Sequence, residues 1–424
     1  MDLPDSLRSL RSPNFRAYYI GQAVSQLGSW MQSVAITWLA YRLSESTATT
    51  GMVGFLAMAP YIFVTPIAGA LSDRVSRRKV LIIVQSMLLL VAAALALITA
   101  SGHITIPLLG ALAFTQGVLN GVEVPTRHAF FVQLIKDKAD LPNAIALNSI
   151  NINSTRLIGP AIGGLLIASV GEAACFGINA VTYLAVLIQL RRINISAVAK
   201  KSGGKSLLVD LVDGWRFGLS DPVVRTLVVM VGAVSFAVSP YVILMPAIAV
   251  NTFKQGAELN GLFISCMGVG ALAGAIILAR RPHVRGLTRW VAYTATLAAL
   301  GIIGFSLSRN IWLSFICMAI TGMGLMGTSA CVNTIIQSIV EEDKRGRVVS
   351  IYSTFFIGSA PLGHLVAGWL AEHIGAPRTF LVCGLFCGLT AIIYALNLPR
   401  LRVHIRPLYA ARGIIPPPDT EIQK

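Results

Sequence analysis

The sequence has 424 residues, of which 55% are hydrophobic and only 12% are charged, and its mean hydropathy is +0.72. A soluble globular protein of ordinary composition would carry about a quarter charged residues, so this class is excluded and a membrane protein is indicated. The formal net charge is +16. Its distribution along the chain decides whether it reflects nucleic-acid binding or membrane topology.

Twelve apolar segments are long enough to cross a bilayer, because about 20 helical residues span its hydrocarbon core. They predict an all-α membrane protein with twelve transmembrane helices in two similar six-helix halves. The predicted spans lie near residues 17–41, 48–71, 80–100, 105–134, 143–168, 173–190, 223–250, 258–279, 287–308, 311–340, 347–370 and 376–398.

Lysine and arginine are distributed unevenly between the loops. If the amino terminus is inside and the loops alternate, all but six of the 34 lie in cytoplasmic segments or at their edges. This positive-inside pattern predicts a multi-pass membrane protein with both termini in the cytoplasm, and it argues against a nucleic-acid partner. The six exceptions are Arg42, Lys254, Arg309 and Arg378 in outer loops, and Arg127 and Arg156 within spans.

The first predicted span is unusually polar for a membrane helix. Its polar residues recur on one face at helical spacing, and amide side chains recur in the fifth and tenth spans. We expect these residues to line a cavity that suits a neutral or amphiphilic organic solute better than a small ion. They are Gln22, Ser25, Gln26, Ser29 and Trp30 in the first span, Asn148 and Asn151 in the fifth, and Asn333 and Gln337 in the tenth.

A short motif follows the second span and reads Gly69-Ala-Leu-Ser-Asp73-Arg74-Val-Ser-Arg77-Arg78. It resembles the signature that members of the major facilitator superfamily carry between helices 2 and 3. Positive-inside charge alone would explain the arginines but not the spacing of glycine, leucine and aspartate. The resemblance implies the major facilitator fold and a gating loop in which the aspartate pairs with arginines or with the N-terminal end of a neighbouring helix. Ser76 departs from the family pattern, which has a turn glycine there.

Glu123 is the only acidic residue that lies well inside a predicted span. An ionisable group in hydrocarbon is costly unless it is paired, so Glu123 is a candidate for proton coupling. At 1.5 Å per residue it lies ~18 Å from the loop at 135–142, and Arg156 on the next helix lies ~20 Å from that loop. The similar depth predicts an ion pair, which would either tune the proton affinity of Glu123 or only fix helix packing.

The fifth span contains a proline flanked by glycines, in the order Gly159-Pro160-Ala-Ile-Gly163-Gly164. The order resembles a signature of the exporter branch of the superfamily, especially of proton-coupled drug antiporters. Proline loosens the hydrogen-bond ladder and small residues let another backbone approach, so we expect a hinge or seal. The match is partial, since Thr155 replaces one glycine of the signature. Ala113 also replaces the arginine of another family signature, which weakens any transfer of the drug antiporters' coupling scheme.

Longer stretches resemble one subfamily more closely, that of bacterial exporters of enterobactin and other siderophores. This resemblance covers roughly residues 8–400. It implies a siderophore- or drug-like substrate and a location in the bacterial inner membrane. Carriers of lysophospholipids resemble this subfamily. The alternative is therefore a carrier of lysophospholipids or of another lipid-related solute. The stretches are Phe15-Arg16, Gly28 to Gln32, Asn143 to Asn148, and Arg345 to Tyr352.

The two halves of the chain repeat each other. Gln133 and Gly159 align with Gln337 and Gly363, each 204 residues further along the chain. The alignment between these positions has no gap. Parallel repeats in a hydrophobic chain of this length indicate a transporter whose substrate lies between two similar halves.

We divide the chain into four parts. Two six-helix bundles, 1–190 and 222–398, are joined by a cytoplasmic linker, 191–221, and followed by a basic cytoplasmic tail, 399–424. Apolar residues at helical spacing over 206–219 predict an amphipathic helix that lies on the membrane surface or on the protein's own loops. The arginines of the tail are better explained as a topology anchor and a contact for anionic lipids than as a nucleic-acid arm.

His364, in the eleventh span, occupies the repeat position of Pro160. Histidine titrates near neutral pH, so His364 is a second candidate for proton transfer or substrate binding. The alternative is a neutral histidine that is hydrogen-bonded to a backbone carbonyl.

Together these features predict a secondary active transporter that exports a small organic solute, by proton antiport and alternating access. Its expected partners are that solute, protons and membrane lipids, and it is expected to act as a monomer. An enzyme is not expected, because Gly203-Gly204-Lys205-Ser206 lacks the preceding strand and the glycine spacing of a phosphate loop. No metal or other cofactor is expected, since the six cysteines lie in apolar spans without ligand spacing. A receptor or scaffold with this fold is the remaining alternative, which steady solute flux would exclude.

Overall fold

Long α-helices form at each apolar segment of the chain in the computed structural model. The structure describes residues 4–71, 75–135, 137–193, 220–281 and 284–412. Twelve long helices lie within these ranges and are numbered in chain order. They are α1 Pro13–Ser44, α2 Thr47–Leu71, α3 Arg77–Ala100, α4 Ile106–Gln133, α5 Leu141–Val170, α6 Glu172–Arg192, α7 Pro222–Val238, α8 Ala257–Ala279, α9 Leu287–Leu307, α10 Ile311–Ile339, α11 Glu342–Ile374 and α12 Ala376–Ala411.

Nine spans in the described part of the chain are long and apolar enough to cross a membrane by length and composition. The three long helices outside this group are α1, α4 and α5. These three carry most of the polar residues that were selected as cavity and coupling candidates. Such residues lower the hydropathy of a helix that faces protein rather than lipid. The predicted fold class, an all-α protein of twelve membrane helices, is confirmed.

The seventh span is interrupted. After α7 the chain continues through a short helix, Tyr241–Ala247, and a π-helical turn, Ile248–Thr252. Pro246 lies within the short helix, and a proline removes one backbone donor from the ladder. Irregular turns of this kind are typical where a proline interrupts a long helix.

Two glycines end equivalent helices in the two halves. Gly171 follows α5 with φ of 86°, and Gly375 follows α11 with φ of 83°. Glycine reaches positive φ without the steric penalty of a Cβ atom, so it is the usual residue at such a helix end. The two positions are 204 residues apart, so the sequence repeat includes the signal that ends the helix.

The chain divides into two compact units. The first comprises Met1–Gly204 and Val242–Gly268, and the second comprises Lys205–Tyr241 and Val269–Lys424. The predicted boundaries at residues 190 and 222 remain predictions. The amphipathic helix predicted over 206–219 lies outside the described residues.

Helix packing follows the same plan in each unit. In the first unit α1 packs against α5 and α6, and α3 packs against α4 and α6. In the second unit α7 packs against α11 and α12, and α9 packs against α10 and α12. Adding six to each helix number converts the first set into the second, which is the structural counterpart of the sequence repeat.

The last helix is longer than predicted. The predicted span ends near residue 398, but α12 continues past Pro399 and Pro407 to Ala411. An interior proline costs a helix about 3 kcal/mol, and burial of a large apolar side chain recovers about 1.5–3 kcal/mol. Leu401, Ile405 and Tyr409 recur every four residues and are all buried, so their packing extends the helix into the basic segment.

Candidate functional site

A buried ion pair lies on α4 in the first unit. Nε of Arg127 is 2.9 Å from Oε1 of Glu123 and donates a hydrogen bond to Oε2 at 3.2 Å. The residues are four positions apart, which places both side chains on one face of the helix. Only 9% of the Glu123 side chain and 13% of the Arg127 side chain are exposed, so the pair is largely withdrawn from solvent.

Arg156 is the partner that the sequence predicts for Glu123, and the structure corrects this prediction. The guanidinium carbon of Arg156, on α5, is 5.6 Å from the centre of the Trp30 ring on α1, within range of a cation–π interaction. Equal depth on neighbouring helices does not determine which faces meet. The four-residue spacing between Glu123 and Arg127, which is visible in the sequence, was the stronger indication of an ion pair.

Side chains from three other helices surround the Glu123 carboxylate. Nε2 of Gln85, on α3, donates to Oε1 of Glu123 at 3.4 Å, and Gln85 is buried. Tyr18 on α1 and Tyr61 on α2 lie close enough to interact electrostatically with the pair. Neither Gln85 nor the tyrosines were selected from the sequence. Side chains from four helices therefore interact with, or carry, this one carboxylate.

The chemistry of this arrangement would allow protonation to act on conformation. When Glu123 is ionised, it compensates the charge of Arg127. When Glu123 is protonated, Arg127 is left as a buried charge without its partner, which costs several kcal/mol unless water or another acceptor reaches it. A conformation that admits such an acceptor is therefore favoured by the proton, which is the property that a proton-coupled transporter requires.

A chain of amide side chains crosses the same unit. Nε2 of Gln32 donates to Oε1 of Gln116 at 2.7 Å, and Nδ2 of Asn179 donates to Oε1 of Gln32 at 2.8 Å. Thr182 completes the chain by donating from Oγ1 to Oδ1 of Asn179 at 2.9 Å. Asn179 is fully buried. The signal for it was an amide in the middle of the largely apolar sixth span.

The cavity candidates on α1 occupy different environments. Gln22 and Ser25 are buried within the unit, whereas Gln26, Ser29 and Trp30 are half-buried. Oγ of Ser29 donates to the carbonyl oxygen of Ser25 at 2.9 Å. Oγ of Ser29 also lies 3.3 Å from the hydroxyl oxygen of Tyr183 on α6, so part of the polar face contacts a neighbouring helix.

The remaining cavity candidates lie on α5 and α10. Asn151 is buried, and its Nδ2 has no hydrogen-bond partner among the described residues, whereas Asn148 is half-buried. In the second unit Nε2 of Gln337 donates to Oδ1 of Asn333 at 3.0 Å, at an exposed position. The roles of these residues in substrate binding remain predictions.

His364 lies in the second unit and is buried. Its Nε2 is 3.1 Å from the carbonyl oxygen of Ser239, so this nitrogen carries the proton of the hydrogen bond. The contact matches the alternative in which the histidine bonds a backbone carbonyl. It supports a structural role more than a proton-transfer role.

The predicted gating loop is described only at its ends. Asp73 and Arg74 lie outside the described residues, while Gly69 is in the last turn of α2. Nη1 of Arg77 donates to the carbonyl oxygen of Ala129 on α4 at 3.2 Å. Arg78 donates from Nε and Nη2 to the carbonyl oxygens of Leu190 and Arg191, at 2.7 and 2.8 Å.

These arginine contacts join helix ends. The final carbonyls of a helix lack partners within it and carry partial negative charge. Arg78 satisfies two of them at the end of α6, while Arg77 satisfies one near the end of α4. The start of α3 is thereby tied to the ends of two other helices.

The glycines of the α5 motif lie at close helix crossings. Gly159 and Gly163 face α1, next to Trp30 and Met31. Gly164 faces Gly261 in the part of α8 that belongs to the first unit, and a Cβ atom at Gly164 would lie 3.0 Å from Cα of Gly261. Small residues permit this approach of two backbones. Gly261 was not selected from the sequence.

A family model described as a transmembrane secretion effector matches residues 5–412 of the chain. The matched segment includes all twelve long helices.

Three of the curated proteins that resemble the chain do so over most of its length. The staphyloferrin A transporter of Staphylococcus aureus is 26% identical over 88% of this chain and 93% of that protein. The multidrug efflux pump Tap of Mycobacterium tuberculosis is 24% identical over 93% of this chain and 95% of that protein. The enterobactin exporter EntS of Citrobacter koseri is 24% identical over 93% of this chain and 94% of that protein.

The fold also resembles solved transporters. A bacterial homologue of the human lysosomal transporter Spinster, in an inward-facing and unoccupied conformation, matches with a TM-score of 0.71 and 14% identity. The match covers 93% of this chain and 98% of that one. At this identity the similarity establishes the fold alone.

Proposed function

Since the chain belongs to the transmembrane secretion effector family of major facilitator transporters, we propose that it exports a siderophore- or drug-like organic solute in exchange for protons. The family comprises membrane efflux transporters rather than enzymes, as the sequence predicts. Its relatives include transporters of two siderophores, staphyloferrin A and enterobactin, and a multidrug pump. They support an organic substrate for this chain.

The buried Glu123–Arg127 pair is the observation that supports proton coupling. A paired carboxylate inside a membrane helix bundle is costly to maintain, which is the general reason to assign it a function. Gln85 and the buried hydroxyl of Tyr18, which has no hydrogen-bond partner among the described residues, supply further donors near the pair. They can stabilise either charge state of the carboxylate.

The transport cycle proceeds in four steps. Glu123 takes a proton while it is accessible from the outside, and the ion pair with Arg127 is lost. The protein then changes to its inward-open state, where solute binds from the cytoplasm. Solute binding favours release of the proton to the cytoplasm, and the ion pair forms again. The protein returns to its outward-open state with the solute, so proton and solute bias the same two states in opposite directions.

Arg156 and Trp30 form the proposed solute contact. The half-buried guanidinium offers several donors to acceptor oxygens, and the indole ring offers an apolar face. Gln26 lies nearby, since Oγ1 of Thr155 donates to its Oε1 at 3.4 Å. This set of groups fits an amphiphilic solute that carries oxygen acceptors, as siderophores do.

Flux measured in proteoliposomes tests the proposal. Purified protein is reconstituted with an acidic lumen and a pH indicator inside, and staphyloferrin A, enterobactin or a cationic dye is added outside. We expect one of these solutes to accumulate and to raise the luminal pH as it does so. Accumulation that leaves the luminal pH unchanged and survives collapse of the gradient would exclude proton antiport. Selective movement of labelled lysophospholipid would instead support the lipid-carrier alternative.

A further inference from the structure

A groove of about 510 Å³ lies on the second unit, between the start of α7 and the C-terminal part of α12. Its volume falls in the range of sites that hold drug-sized ligands, roughly 300–1,000 Å³. One end is basic and the other is apolar. Both helices belong to spans that are long and apolar enough to cross a membrane.

The basic end is formed by Arg225 on α7 and by Arg400 and His404 on α12. All three side chains are exposed, and neither arginine has an ion pair within the described ranges. Nδ1 of His404 donates to the carbonyl oxygen of Arg400 at 2.9 Å, so this bond does not use Nε2.

The neighbouring carboxylate does not neutralise this cluster. Oδ1 of Asp221 accepts hydrogen bonds from the backbone amides of Val223 and Val224, at 2.8 and 2.9 Å. It therefore serves as the N-cap of α7. The basic end of the groove retains a positive charge.

The apolar end is lined by Val229, Met230 and Ala233 on α7 and by Ile393 on α12. Val229 and Ile393 are each 50% exposed, as expected of side chains that face hydrocarbon. Ala233 lies eight residues beyond Arg225, or ~12 Å along the helix at 1.5 Å per residue. One leaflet of the hydrocarbon core is about 15 Å thick. The length of the groove along α7 is therefore close to the thickness of one leaflet.

We propose that this groove binds one anionic glycerophospholipid. Its phosphate contacts Arg225, Arg400 and His404, and one acyl chain lies along the apolar side chains as far as Ala233. Charged hydrogen bonds from guanidinium to phosphate are among the strongest in proteins. A zwitterionic lipid presents the same phosphate together with a cation that these residues repel, so the site selects for net negative charge.

Lipid retention measured by native mass spectrometry tests the site. The full-length protein is delipidated in detergent and incubated with phosphatidylglycerol or with phosphatidylethanolamine. We expect one phosphatidylglycerol to remain bound in preference to phosphatidylethanolamine. The Arg225→Gln/Arg400→Gln variant should lose about thirtyfold in retention, given about 1 kcal/mol for each of the two basic residues. Ala233→Phe should also lose retention, because it fills the apolar end while the charges remain.

Arg406→Gln is the matched control. It removes an exposed arginine from the same helix, outside the groove, and retention should be unchanged. Retention that is equal in all variants, or that falls equally with Arg406→Gln, would overturn the proposal.

Two other occupants give different results. If the groove recognises only the phosphate group and not the acyl chain, inorganic phosphate should displace phosphatidylglycerol and Ala233→Phe should not change its retention. That result would overturn the lipid assignment. If residues 206–219 occupy the groove, a Leu211→Cys/Ala233→Cys variant should cross-link both with and without phosphatidylglycerol, which also overturns it. Cross-linking that phosphatidylglycerol suppresses supports the lipid.

Discussion

The Nε atom of Arg127 lies 2.9 Å from Oε1 of Glu123 on the next turn of the same helix. Because both residues belong to α4, a rigid movement of that helix does not separate them. An ion pair between two helices would break whenever the helices moved apart. This pair changes only when a proton binds or when a side chain rotates. In the proposed mechanism, protonation of Glu123 is therefore the event to which the cycle responds.

The first prediction concerns removal of this pair. Glu123→Gln alone leaves Arg127 buried without a counter-ion, a loss of about 3–5 kcal/mol. The Glu123→Gln/Arg127→Gln variant replaces both charges with amides that can hydrogen-bond each other, and it should unfold at nearly the wild-type temperature. Its accumulation of solute against a gradient should nevertheless fall to that of empty liposomes, while downhill exchange continues. Uphill accumulation at the wild-type rate would show that coupling lies elsewhere.

The control for this prediction is a second ion pair in the same unit, in which the carboxylate is buried but the arginine is 53% exposed. Nε of Arg42 is 2.7 Å from Oε1 of Glu172, and only 9% of the Glu172 side chain is exposed. The pair joins the end of α1 to the start of α6, far in sequence from Glu123. The Arg42→Gln/Glu172→Gln variant should keep pH-driven accumulation. An equal loss in this variant would mean that the loss of accumulation is not specific to the Glu123–Arg127 pair.

The second prediction separates solute binding from coupling. Arg156→Gln removes the guanidinium that is proposed to bind the solute, and a hydrogen bond to a charged group contributes about 1.5–3 kcal/mol. We expect the KM for the solute to rise about ten- to 150-fold, with an unchanged ratio of protons to solute. The measurement is initial flux over a range of solute concentrations, together with the luminal pH. Arg156 would belong to the coupling machinery instead if that ratio changed while KM did not.

The third prediction concerns the amide chain. Asn179→Leu removes the donor to Gln32 and the acceptor of Thr182 in a fully buried position. Each buried polar atom that loses its partner costs about 1–3 kcal/mol, so the thermal midpoint in detergent should fall clearly. Thr115→Val is the control, since Thr115 is exposed and bonds only its own helix. Equal midpoints in the two variants would contradict a stabilising role for the chain.

The helices themselves could be read from the sequence because they depend on local composition. Each span is a run of apolar residues, and glycines such as Gly171 and Gly375 end helices through their own backbone conformation. The repeat also carries tertiary information. Gly159 approaches α1 and its equivalent Gly363 approaches α7, each at a close helix crossing.

The partners of the buried residues could not be read in the same way. Depth in the membrane can be counted from a loop, but the direction in which a side chain points depends on helix rotation. Arg156 was therefore assigned to Glu123, whereas it faces Trp30. Gln85 was missed for the same reason, because its partner lies on another helix. The length of α12 was missed because proline and arginine predicted an end that packing of Leu401 and Ile405 overrides.

The fourth prediction concerns membrane orientation. The distribution of lysine and arginine places the linker in the cytoplasm and the segment between α9 and α10 outside. A reporter enzyme fused after Lys205 should therefore report a cytosolic location. The same kind of reporter fused after Arg309 should report a location outside the membrane. The reverse result at both positions would invert the topology. Agreement at one position only would require a different number of spans between them.

The fifth prediction concerns the close crossing of α5 and α8. A Cβ atom at Gly164 would lie 2.5 Å from the carbonyl oxygen of Ala257, well inside the 3.5–4.0 Å of a normal contact. The facing residue Gly261 is equally confined by the Pro160 carbonyl. Any side chain at Gly261 must therefore separate the two helices. If the cycle uses this tight crossing as a seal, the transport rate should be lower in Gly261→Ala than in the wild type and lower again in Gly261→Val. The rates are compared at equal levels of inserted protein.

Gly177→Ala provides the control for this series. Gly177 lies on α6, where an added Cβ atom would meet only Ala96, at an ordinary distance of 3.9 Å. Transport by this variant should match the wild type, because the helices need not move. Gly268→Ala should behave like Gly261→Ala, since its Cβ atom would lie 2.8 Å from Cα of Leu157 on α5. Wild-type flux in Gly261→Val would show that α5 and α8 can separate without cost, and the proposed seal would then be wrong.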